Sequence, residues 1–251
     1  MLRDELLRAL SAEPDQCVAF DADGTLWTHD IGCLVFEFAL ASDALLPPAR
    51  SAMEQLLHRI GAAPGPDWSL SALGASLSEA ATRGQLDGRS YAEMQVWCYA
   101  GMSPEELREL AREALREGEH QEGLRAPLRE LLTELRRAGA RTIVVSASPR
   151  ILVEEATDIL GFHPADVTGG DAIQDGEVLG PALLHPLPYG PRKAEEAARL
   201  SASRPLLAAF GDSDFDLDLL RAARIPVGLG ERQALRTLLS GLPGSRWLTL
   251  P

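Results

Sequence analysis

The chain has 251 residues, with 24 Lys and Arg against 37 Asp and Glu, giving a formal net charge of −13. A field of that sign repels polyanions, so nucleic acid is excluded as a natural partner, and an anionic ligand needs a local positive site. The 45% hydrophobic and 24% charged fractions suit a globular protein with a sizeable core, and no apolar run reaches membrane-spanning length.

In chain order, Leu2, Leu6, Leu7 and Leu10 form a helical stripe ending near Ser11 to Pro14. The start Met1-Leu2-Arg3-Asp4-Glu5 carries acids where an export signal needs a basic region. Cys17, Cys33 and Cys98 are odd in number and show no Cys-x-x-Cys spacing. Both features point to reduced thiols and a cytoplasmic location.

The apolar run Cys17-Val18-Ala19-Phe20 predicts a buried strand ending at Asp21-Ala22-Asp23-Gly24-Thr25. Two carboxylates at the carboxyl edge of a strand sit where open α/β sheets bind ligands. They repel each other, which folding alone rarely requires and a metal ion would relieve.

Residues 31–119 carry no convincing strand. Helical segments are predicted over 33–41, 47–60, 69–83, 90–99 and 103–117, the last opened by Ser103-Pro104-Glu105-Glu106, with Ser capping and Pro first. The stretch reads as an inserted all-α unit. From residue 120 a β/α alternation begins: a helix over 127–138, a strand over 142–146, a helix over 151–160 and a strand near 166–168. A tight turn follows at Asp175-Gly176, then a helix over 192–200, a strand over 205–210, a helix over 214–223 and a strand over 225–229. The expected fold is α/β: a Rossmann-like parallel sheet with helices on both faces, formed by residues 1–30 and 120–251 and interrupted by the all-α unit.

Three further sites carry polar groups, two of them at the ends of apolar strands. Val144-Val145-Ser146-Ala147-Ser148-Pro149 offers the Ser146 hydroxyl and the Ala147 backbone for an anion, with Ser148 expected as a helix cap and Pro149 at the first helical position. Gly211-Asp212-Ser213-Asp214-Phe215-Asp216 offers hard oxygens of the kind Mg2+ prefers. Lys193 lies early in a helix behind a Pro- and Gly-rich loop. Together these residues form a logic of phosphoryl transfer. Asp21 attacks phosphorus, Asp23 handles the proton, and Mg2+ and Lys193 neutralise charge.

The order Asp21-x-Asp23-Gly24-Thr25, Ser146, Lys193, Gly211-Asp212-x-x-x-Asp216 resembles the four motifs of the haloacid dehalogenase superfamily, and within it the phosphoserine-phosphatase-like phosphatases with a helical cap. The resemblance implies a cap over residues 31–119. It also implies Mg2+ held by the Asp21 and Asp212 side chains and the Asp23 carbonyl, with Asp216 acting through water or holding Lys193. Gly24, Thr25, Ser146, Ala147 and Lys193 would meet phosphate. Asp23 separates the phosphatases from relatives that lack that acid, so hydrolysis of a small-molecule phosphomonoester through an aspartyl-phosphate leads over mutase or phosphotransferase activity and over a non-catalytic phospho-ligand sensor.

Substrate contacts are expected from Trp27, Asp30, Glu37, Trp97 and Arg150. Asp30 sits nine residues after Asp21, where the resemblance places an acid for an amino group. Aromatic residues beside such an acid would suit a cationic leaving group. The ordinary alternative for Trp68, Trp97 and Tyr99 is packing among the helices.

Overall fold

The computed structural model describes residues 2–65 and 67–249, so Met1 and Pro251, the outer bounds of the predicted sheet-forming unit, lie outside the described residues, as do Pro66 and Leu250. Helix α1 (Leu2–Ala12) leads to β1 (Cys17–Phe20). Five helices follow: α2 (Ile31–Ala41), α3 (Arg50–Arg59), α4 (Leu70–Thr82), α5 (Gly88–Trp97) and α6 (Pro104–Glu117). The chain then runs through α7 (Ala126–Arg137), β2 (Arg141–Pro149), α8 (Arg150–Asp158), β3 (Val167–Gly170), β4 (Ala172–Asp175), β5 (Val178–Leu183) and α9 (Pro191–Leu200). It finishes with β6 (Leu206–Gly211), α10 (Leu217–Ala222), β7 (Ile225–Leu229), α11 (Gln233–Ser240) and β8 (Arg246–Leu248).

Six strands form one parallel sheet in the order β3-β2-β1-β6-β7-β8. Side chains alternate across a strand, and β1 shows the consequence. Val18 and Phe20 join one apolar cluster with Val144, Phe210 and the leucines of α1 and α7. Cys17 and Ala19 join the other with Ile143, Val145, Leu200 of α9 and Leu235 of α11. Phe20 and Phe210 stack at 4.7 Å between ring centroids across the β1–β6 pair. The expected parallel sheet with helices on both faces is therefore present.

The helices between β1 and α7 bury their apolar faces in the first cluster, which runs unbroken from Val35, Phe36 and Met53 to Leu152 and Val153 of α8. The α6 start is a full capping box: the Ser103 hydroxyl accepts from the Glu106 N–H, and the Glu106 carboxylate from the Ser103 N–H. Polar ties add to the packing: Arg108 of α6 reaches Glu154 and Glu155 of α8, and Arg112 reaches Glu155. The β4–β5 hairpin turns at Gly176 with φ +65°, as Asp175-Gly176 predicts. Its Leu179 exchanges backbone hydrogen bonds with Gly101 and Met102, joining it to the α5–α6 connection.

Candidate active site

β1 occupies the middle of the sheet between β2 and β6, so the residues leaving these three strands converge. Asp21 follows β1, its N–H donating to the Phe210 carbonyl, while Ser146 lies on β2 and Asp212 follows β6. The chain turns sharply after Asp21: the N–H groups of Thr25 and Leu26 both donate to the Ala22 carbonyl. Gly24 allows the turn. Its φ is +75°, and a Cβ there would stand 2.5 Å from Asp212 Oδ2, so only glycine lets the two acidic loops close up. A second clamp comes from later in the chain, where Arg125 donates to the Gly24 carbonyl at 3.1 Å.

Lys193 is 4% exposed, and its Nζ donates to Asp21 Oδ1 and to Asp216 Oδ1, both at 2.5 Å. Asp21 Oδ2 accepts the Thr25 hydroxyl at 3.0 Å. Asp216 Oδ2 accepts from the N–H groups of Asp212 and Ser213 and from the Ser213 hydroxyl. Oxygens of Asp21, Asp212 and Asp216 lie within 4.8 Å of one another. Three carboxylates thus face one ammonium and the Arg232 guanidinium, whose Nε lies 3.7 Å from Asp212 Oδ2, so acids still outnumber bases at the site. Burial, then the neighbouring Asp216, pushes the Asp21 carboxyl well above the usual range. The same two causes raise Asp212 to about 6. Lys193 pays desolvation for its charge, but Asp21 and Asp216 more than offset it and drive its pKa up. A divalent cation is the ligand such a set of hard oxygens fits.

In the same cleft, burial and then Asp30 raise the Asp23 carboxyl to about 6. Asp23 Oδ1 accepts from Trp27 Nε1 at 2.8 Å and from the Ile31 N–H at 2.9 Å, and Oδ2 accepts the Ser148 hydroxyl at 2.6 Å. Asp21, Asp23 and Asp212 border a cleft of about 400 Å3 that Gly24, Ser146, Ala147 and Lys193 also line, while Asp216 is fully buried.

Several expected residues stand elsewhere. Thr25 is fully buried and serves Asp21 instead of lining the cleft. Ser148 does not cap a helix: β2 runs through it to Pro149, which stands just before α8 without a capping hydrogen bond, because pairing with Gly170 of β3 prolongs the strand. Trp27 is fully buried, held down by pairing with Leu124, and cannot meet a substrate. Trp97 borders a different depression, beside Pro181, and Tyr99 is fully buried. Glu37 faces a neighbouring groove along α2. Arg150 is spent on Glu154 and Asp171. Asp30 does line the cleft, while also capping α2 through the Cys33 N–H.

The sequence reading missed Tyr91 and Gln95 of α5, Tyr189, Phe215 and Arg232, all of which line the cleft. For α5, the signal was available: Tyr91 and Gln95 are four apart and share one helical face. For Tyr189 and Phe215, whose rings meet at 4.4 Å, nothing local marks the pairing.

The sequence profile of haloacid dehalogenase-like hydrolases matches residues 18–221. Phosphoserine phosphatase SerB2 of Mycobacterium tuberculosis is 29% identical over 169 residues, which are 64% of this chain and 38% of that protein. The chain thus spans under two fifths of that relative's length. Among solved structures, a protein of unknown function from Bordetella pertussis Tohama I superposes with a TM-score of 0.71 at 18% identity, covering 94% of this chain and 98% of the other. A substrate-bound phosphoserine phosphatase superposes with a TM-score of 0.51 at 15% identity, covering 92% and 91%. At those identities the structural likeness speaks for the fold alone. The profile, matched over most of the chain with all four motifs of the cleft inside it, settles the descent: the chain belongs to the haloacid dehalogenase-like hydrolases.

Proposed function

We propose that the chain is a Mg2+-dependent phosphatase that hydrolyses a small-molecule phosphomonoester through an aspartyl-phosphate on Asp21. The observation that carries this reading is the pairing of Lys193 with Asp21 and with the buried Asp216, in a cleft that Asp212 and a fourth carboxyl, Asp23, also line. A site built only to bind phosphate has no use for four carboxylates, which repel it. The relative named phosphoserine phosphatase supports the same reaction class.

The side chains of Asp21 and Asp212 and the backbone carbonyl of Asp23 would hold Mg2+, which supplies charge neutralisation and polarises a phosphoryl oxygen. Asp216 spends both oxygens on Lys193 and on its own loop, so its role is to hold that lysine and shape the Asp212 turn. Asp21 attacks phosphorus as the bond to the leaving oxygen breaks, and Asp23 protonates that oxygen. Asp23 then takes a proton from water, whose oxygen attacks phosphorus and frees Asp21. Ser146, the Ala147 backbone and Lys193 would orient the phosphoryl group. Helices α2 to α6 act as the cap, with Asp30, Tyr91 and Gln95 turned to the leaving group.

Phosphate release from a panel of phosphomonoesters, with Mg2+ and with EDTA, tests this. Turnover should require Mg2+ and fall at least about a thousand-fold in Asp21→Asn. Undiminished hydrolysis by Asp21→Asn would overturn the nucleophile. Ligand binding with no turnover on any ester would favour a sensor.

A further inference from the structure

We propose that the hydrogen bonds around Asp23 fix which of its oxygens carries the transferable proton, Oδ2, and that Trp27 and Ser148 are the positioning residues responsible. The inference rests on Asp23 being the general acid and base of the reading above.

The two oxygens of Asp23 are not equivalent. Oδ1 accepts two N–H donors, Trp27 Nε1 at 2.8 Å and Ile31 N at 2.9 Å. Both of its lone pairs are then occupied. Oδ2 accepts one donor, the Ser148 hydroxyl at 2.6 Å, and keeps a lone pair free. A proton on Oδ1 would have to displace an N–H, and neither the indole nor the peptide can turn round to accept it, because both are donors only. A proton on Oδ2 displaces nothing. Asp23 and Ser148 both line the cleft, so the carboxyl whose Oδ2 keeps this position borders the space a leaving group would fill.

Trp27 is held as firmly as the group it orients. Its ring is fully buried, edge-on to His120 at 4.9 Å and stacked near His29 at 6.4 Å. The tautomers of those histidines follow from their partners. His120 Nε2 lies 3.1 Å from the Ala156 carbonyl and must donate to it. His120 Nδ1 is then bare and accepts from His29 Nε2 at 2.8 Å. Gly123 makes room for this pair, since a Cβ there would stand 2.5 Å from His29 Nδ1. A chain of directional contacts from Ala156 on α8 therefore ends at one oxygen of Asp23.

In the proposed step, the phosphorus–oxygen bond of an alkyl phosphate breaks, the electron pair goes to the alcohol oxygen, and that oxygen takes the proton from Oδ2. In the second half, Oδ2 takes a proton from the attacking water as phosphate leaves Asp21. An acid in the right place contributes a hundred- to ten-thousand-fold, and a displacement of about 1 Å forfeits much of that.

The test compares kcat/KM for a primary alkyl phosphate and for p-nitrophenyl phosphate, whose phenolate departs without a proton. This constant ends at formation of the aspartyl-phosphate, so the later hydrolysis does not enter it. Trp27→Phe keeps the ring and removes the N–H; Ser148→Ala removes the hydroxyl. Each should lower the alkyl-to-aryl ratio by about ten-fold or more. Loss of folded protein scales both substrates alike and leaves the ratio untouched. A ratio within about two-fold of the parent in either variant would overturn the inference for that residue. Asp23→Asn separates the two levels. If it lowers the ratio while Trp27→Phe and Ser148→Ala do not, the positioning inference fails alone. If it leaves the ratio unchanged, the general-acid reading fails and the inference with it.

Discussion

At the scale of single residues, the site depends on groups whose positions are extreme. Gly24→Ala forces a Cβ into Asp212 at a positive φ, so the acidic loops must part. We expect a loss of at least about ten-fold in Mg2+ affinity by calorimetry, with an unchanged circular dichroism spectrum. His120 gives a stability prediction with a definite sign. Burial lowers its pKa to about 4, so the folded state prefers the neutral ring and the unfolded chain takes up the proton first. The stabilisation is present above about pH 6.5 and is lost as pH falls towards 4. His120→Gln, destabilised at pH 7.5, should recover about 1–2 kcal/mol relative to the parent at pH 5 in urea titrations. An unchanged gap would mean that His120 does not titrate differently on folding.

Elements carry a different kind of legibility. The start of α6 was readable in full, because Ser103-Pro104-Glu105-Glu106 contains its own capping chemistry. Ser103→Ala should cost about 1 kcal/mol, or roughly 2–4 °C in Tm by thermal melt. The strand-free stretch, the hairpin turn and the four motif positions were legible for similar reasons: their signals are local. Other features were not. β8 is three residues long, too short for an alternating pattern to stand out. The Ser148 expectation failed because a proline usually opens a helix, whereas here β3 offers Gly170 as a partner and keeps the backbone extended through Pro149. The expectation that Trp27 contacts substrate follows from its closeness to Asp23 in sequence. Its burial depends on Leu124 and His120, nearly a hundred residues later, which no local pattern reports.

For the whole molecule, the charge of the site is coupled to its stability. Asp23 and Asp212 both titrate near 6 in the metal-free fold, above the ordinary carboxylate range. A raised carboxyl favours folding below the unfolded pKa, and that contribution disappears as pH rises through 6. At pH 7.5 the metal-free protein therefore holds ionised acids at a cost, and a bound cation relieves it. Millimolar Mg2+ should raise Tm at pH 7.5, by a few degrees, and by clearly less at pH 5.5. Taking the difference with EDTA at each pH cancels the opposing His120 contribution. An equal Mg2+ gain at both pH values would disconnect the metal from these acids.

The strand order has a consequence for how the protein is made. β1 lies at the centre of the sheet but is second in the chain, and its neighbours β2 and β6 begin only at Arg141 and Leu206. A ribosome adding about 5–20 residues per second needs on the order of 10 s to span the stretch between β1 and β2. Throughout that interval Cys17–Phe20 has no sheet partner on either side, while the helical insertion emerges. The nascent chain thus carries an unpaired apolar edge whose protection falls to α1, to the emerging helices, or to a chaperone. Ribosome-stalled chains ending before Arg141 should aggregate on release, whereas chains extended past Gly211 should not.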